Sequence, residues 1–107
     1  MDLVVECYRS TDVFPDREKY GLTQQIRRAA VSIPSNVAEG SGRTHLGEYL
    51  YHLSIANGSL MELETQLLIS QRLGFLPEEA TSQLLGRCAT LGKMVAGLTR
   101  KLSDKTR

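Results

Sequence analysis

The 107-residue chain has room for one domain, and an apolar content of 41% suffices for a single core. Six per cent aromatics, no Trp and a net charge of +1 imply a core of Leu, Ile, Val and Ala and exclude a globally basic protein. No apolar run approaches the roughly 20 residues that cross a bilayer, and no signal-peptide pattern opens the chain, so the expectation is a cytoplasmic protein without membrane contact.

In chain order, Leu3, Val4, Cys7 and Tyr8 recur at helical spacing and predict a short first helix over about 3–11. Phe14-Pro15-Asp16 punctuates a connection to Tyr20. A second helix, about 22–41, has apolar Leu22, Ile26, Ala29, Ile33 and Val37 on one face. Its second half is crowded with small residues (Ala29, Ala30, Ser32, Ser35, Ala38, Gly40) and holds Pro34. A mid-helix proline costs roughly 3 kcal/mol or more, so a kink there is expected. Gly40 and Gly42 are expected to stop the helix.

Thr44 is the expected N-cap of a third helix, about 44–73. Leu46, Tyr49, Leu53, Ala56, Leu60, Leu63, Leu67 and Ser70 alternate by three and four, the seam of a bundle helix. A second stripe (Leu50, Met61, Leu68) is expected to widen its buried face. Gly58, which costs about 1 kcal/mol against Ala, suggests close approach of another backbone. Pro77, Glu78 and Glu79 open a fourth helix, about 77–103, with a seam of Leu84, Cys88, Leu91, Val95, Leu98 and Leu102. The result is an all-α, antiparallel up-and-down four-helix bundle with a short first helix and a second helix kinked at Pro34, in one domain over 1–107. Cys7 and Cys88 read as reduced core residues.

Charge is distributed in blocks: residues 17–28 sum to +3, 48–79 to −4 and 80–107 to +5. Such alternation suits complementary packing between helices or subunits and leaves a basic C-terminus for an acidic partner. Arg27, Arg28, Arg100, Lys101, Lys105 and Arg107 are the candidate nucleic-acid contacts; the competing reading pairs one of Arg27 and Arg28 with Glu39, Glu62 or Glu64. Ser35, Asn36, Ala38, Glu39 and Arg43 mark one stretch of helix two as an oligomer interface or polar stripe, or as a bridge over the hydrogen-bond gap at Pro34. His45, Glu48 and His52 share a face, but bundle metal sites draw ligands from facing helices and no second cluster exists. No nucleophile elbow, phosphate loop or paired acids occur, so no catalytic residue, metal, cofactor or small-molecule substrate is assigned, and an enzyme is not expected.

The run Q-I-R-R-A-A-V-S-I-P-S-N-V-A-E-G-S-G-R (25–43), with Phe14-Pro15, Glu18-x-Tyr20-Gly21-Leu22, Ile55-Ala56-x-Gly58-Ser59-Leu60 and Glu62-Leu63-Glu64-Thr65-Gln66-Leu67, resembles the four helix bundle protein family, also called the ribosomal-RNA intervening-sequence protein family. The resemblance spans about Val4 to Leu102. It implies a small antiparallel bundle that assembles as a ring-shaped homopentamer, encoded in some members within ribosomal RNA genes. A related branch contains the basic accessory variability determinant of retroelements, which works with nucleic acid. This chain departs from that branch in its near-neutral charge, and from the family in a first helix that looks a turn or two short. The expected partner is therefore the chain itself, as a pentamer, with RNA or DNA binding as the alternative.

Overall fold

The computed structural model describes residues 1–105, so Arg107 lies outside the described residues. Four helices follow one another: α1 Asp2–Thr11, α2 Leu22–Ser41, α3 Leu46–Arg72 and α4 Glu78–Asp104, with a single 3-10 turn at Asp16–Glu18. Each helix packs on the next and α1 returns to α4, while the diagonal pairs α1/α3 and α2/α4 do not meet among the described residues. This is the expected up-and-down bundle, 48 Å long and 24 by 18 Å across.

The seams read from the sequence form its core. Leu53, Ala56, Leu60, Leu63, Leu67 and Ser70 of α3 are buried, facing Ile26, Ala29, Ala30 and Ile33 of α2 and Leu84, Cys88, Val95 and Leu102 of α4. Each fully buried Leu or Ile stabilises the fold by about 1.5–3 kcal/mol relative to exposure. Because α1 has only 10 residues against the 27 of α3 and α4, the core is divided. The larger cluster gathers all four helices around Leu3, Cys7, Phe14 and Leu84. A smaller one, around Leu53, Val95 and Leu102, holds the far end together with α3, α4 and Val37 of α2. Both cysteines are buried and free. Burial pushes the Cys7 thiol up to about 11 and the Cys88 thiol to about 12, so both stay protonated and unreactive.

Two helix starts and the role of one glycine differ from expectation. α3 begins at Leu46, not at Thr44: His45 is the extended N-cap residue, and its carbonyl accepts from the Glu48 and Tyr49 amides. Pro77 lies just outside α4 as its N-cap residue. Gly40 does not stop α2. It is a buried helical residue at the α2/α3 crossing, and an added Cβ would lie 2.8 Å from His52 Cβ and 3.0 Å from Tyr49 Cδ1. The helix runs through Pro34 and ends at Ser41, with Gly42 as C-cap. α3, by contrast, ends in a Schellman motif. Gly74 adopts φ +81°. The Gly74 amide donates to Gln71 O, and the Phe75 amide to Ser70 O.

The second stripe of α3 is the main correction. Leu50 is half-buried against the smaller core cluster, but Met61 and Leu68 are 49% and 47% exposed. Their spacing matches a buried face, yet α3 has neighbours on two sides only.

Candidate functional site

Two surfaces of the bundle carry residues that its own core does not use. The first is the outward face of α3. Tyr51, Ser54, Gly58, Met61, Thr65, Leu68 and Arg72 alternate by three and four, and every one is exposed. Ile69 and Leu73 flank the stripe, also exposed. α3 therefore carries large apolar side chains (Tyr51, Met61, Leu68, Ile69 and Leu73) on the side away from its core seam as well, set among polar ones, more than a fully solvated helix face needs. At Gly58 an added Cβ would meet nothing within 4 Å. The backbone approach that this glycine suggests does not come from within the protomer.

The second surface lies where the connection after α1 meets the start of α2. Tyr8, Lys19, Tyr20, Gln24, Arg28 and Val31 are among the residues around an open concavity of about 500 Å³. Arg27 forms its wall. The Arg27 guanidinium lies 4.6 Å from the Tyr8 ring centroid. It donates to Thr11 Oγ1 at 2.9 Å and Tyr8 O at 3.2 Å, and pairs with Asp12 at 2.9 Å. Arg27 is thus the arginine committed to structure, but its partner is Asp12 from the connection, not Glu39, Glu62 or Glu64. Arg28 is exposed and makes no ion pair among the described residues. Tyr8 served only as part of the first helix's periodicity, and Tyr20 and Lys19 carried no functional expectation. The available clue was the +3 charge of residues 17–28 with Tyr20 beside Lys19.

The remaining candidates separate. Arg100, Lys101 and Lys105 are exposed near the C-terminus of α4, at the end of the bundle opposite Arg27 and Arg28. One copy therefore has two basic sites and no single basic face. In the polar stripe, the Asn36 side-chain amide donates to Ser32 O at 2.8 Å and Ser32 Oγ at 3.0 Å. Asn36 Oδ1 then accepts from His52 Nδ1 at 3.0 Å, and the Ser32 and Ser59 hydroxyls are 2.8 Å apart. This relay ties α2 to α3. It goes to the Ser32 carbonyl, so it does not bridge the Ala30 carbonyl that Pro34 leaves without its usual donor. Glu39 and Arg43 pair at 2.6 Å on the surface, and Ser35 and Ala38 are exposed. Of the histidine face, His52 is turned to Asn36 and Glu48 lies 3.9 Å from Arg43. No group of three metal-ligating side chains is assembled among the described residues, and no described helix is long and apolar enough to cross a membrane.

A two-core up-and-down bundle with an uncovered apolar helix face belongs to the class of small all-α bundle proteins. Its family is fixed by comparison: the family model described as 23S rRNA-intervening sequence protein matches residues 1–97, and the chain belongs to that family. No curated protein matches the chain.

Proposed function

We propose that this protein is a non-enzymatic cytoplasmic scaffold that assembles as a homo-oligomer, a ring of five copies as the family resemblance implies. The observation that carries this reading is the exposed apolar stripe of α3, with Gly58 open at its middle. A ring requires a heterologous contact, in which one face of a copy meets a different face of the next. The mate of the α3 stripe is the second half of α2, where Ser35 and Ala38 leave a shallow exposed surface beside the Glu39–Arg43 pair. Small side chains there let a helix seat closely, and desolvating Met61 and Leu68 supplies the driving force.

The test is sedimentation and light scattering of the full chain beside the double variant Met61→Lys/Leu68→Lys. The wild type should run as a pentamer and the variant as a monomer with unchanged helical circular dichroism. A wild type that stays monomeric at tens of micromolar overturns the reading.

A second reading, RNA or DNA binding through basic residues repeated around the ring, is supported by Arg28, which makes no ion pair among the described residues, and by the exposed Arg100, Lys101 and Lys105. Repetition multiplies a few weak phosphate contacts into useful avidity.

A further inference from the structure

We propose that the concavity bounded by Tyr8, Lys19, Tyr20, Gln24 and Arg28 binds single-stranded nucleic acid, one base stacking on Tyr20 while Lys19 and Arg28 take the adjoining phosphates. This rests on the second reading above and gives it a site and a ligand class.

Three observations converge on it. Tyr20 is 80% exposed, a large ring that the fold leaves in water at a position where nothing in the core needs it. The Lys19 ammonium lies 5.6 Å from the Tyr20 ring centroid, so a cation and an aromatic face are already adjacent. The concavity also has an apolar wall in Val31, 38% exposed, and an amide in Gln24 that can both donate to and accept from a base edge.

The charge around the site favours an anion. Its cations are Lys19, Arg27 and Arg28. Of the carboxylates close by in the sequence, Asp12 is paired with Arg27 and Glu18 accepts from the Leu22 amide at 3.1 Å, capping α2, while Asp16 is exposed. Against these three stand Arg17, Lys19, Arg27 and Arg28, a small positive excess. Lys19 and Arg28 remain for phosphate. A space of about 500 Å³ is large enough to receive one base. A base can stack on an aromatic side chain only when it has left its own helix, which selects single strands.

The experiment is fluorescence anisotropy of the full-length protein with labelled oligo(U) and oligo(dT) of about 12 nucleotides, a typical single-strand site size. A duplex of equal length is run beside them, all at about 50 mM salt, where electrostatic binding is strong. Single strands should bind more tightly than duplex. Tyr20→Ala should weaken binding about five-fold or more, the loss of one base–aromatic stack, while Tyr20→Phe retains it. Arg28→Ala should reduce the salt slope by about 0.7, one phosphate contact on a single strand. Both side chains are exposed, so these variants keep the fold. Oligonucleotide binding that ignores Tyr20 and Arg28 overturns this site while leaving nucleic-acid binding intact, and a preference for duplex overturns it equally. No binding to any probe overturns the site and the second reading together.

Discussion

The two sides of α3 share a spacing and have opposite fates: the inner side is almost all Leu and Ala, whereas the outer side sets Tyr51, Met61 and Leu68 among Ser54, Gly58, Thr65 and Arg72. Facing inward, Leu53, Ala56, Leu60, Leu63 and Leu67 are essentially inaccessible to solvent; facing outward, Tyr51, Met61, Leu68, Ile69 and Leu73 are each between 44% and 64% exposed. Both sides repeat by three and four, so periodicity alone cannot tell them apart. What distinguishes them is the number of neighbouring helices, a property of the whole fold. The same contrast separates two glycines. Gly40 is sealed against His52 and Tyr49, whereas Gly58 opens onto empty space.

The largest expected effect is on the inner side. Leu63 is fully buried in the larger core cluster, so Leu63→Ala should cost about 2–5 kcal/mol through lost transfer energy and the cavity left behind. Urea unfolding measures it, best in the monomeric Met61→Lys/Leu68→Lys background, where assembly does not contribute. A loss below 1 kcal/mol would mean that the inner seam is as loosely held as the outer one.

Gly40→Ala comes next. Helix propensity favours the substitution by about 1 kcal/mol. The new methyl, however, would sit 2.8 Å from His52 Cβ, which cannot move without shifting the α3 backbone. Overpacking of this kind costs typically about 1–3 kcal/mol, so the net change should be destabilising. It should also loosen the Asn36–His52 hydrogen bond that spans the same crossing. A stabilised Gly40→Ala variant would show that α2 and α3 are not in close contact here.

These contrasts explain what the sequence could and could not reveal. The bundle and its inner seams were legible because a heptad repeat is local and continuous through α3 and most of α4. The helix ends of α2 were legible too, but Gly40 was misread as a stop because its close partners, Tyr49 and His52, are on another helix. The sequence suggested a structural pairing for one of Arg27 and Arg28 but not which, and Asp12 was missed as the partner of Arg27 because the connection that brings it near has no periodicity. The Tyr20 site shares that cause: half of it comes from the irregular segment before α2. Asn36 was placed in a polar stripe, but only the α2/α3 packing makes it a relay to His52 and Ser59.

Gly58→Ala should give the smallest effect and the finest discrimination. In the monomeric Met61→Lys/Leu68→Lys background, the added methyl meets nothing within 4 Å, and replacing a helical glycine should raise unfolding stability by about 1 kcal/mol. In the otherwise wild-type chain the same methyl should weaken assembly, because it stands where a neighbouring copy would have to approach. Concentration-dependent thermal melting reads both effects: a higher midpoint for the monomeric background, and a midpoint more sensitive to dilution for the assembling chain. Opposite signs in the two backgrounds would locate the cost of the methyl between copies. A gain in both would mean that Gly58 is an unconstrained position on a free surface, and the contact would then have to be made elsewhere along the stripe. A loss in both would mean that the outward face of α3 is already packed within one protomer, and the distinction between its two sides would fall.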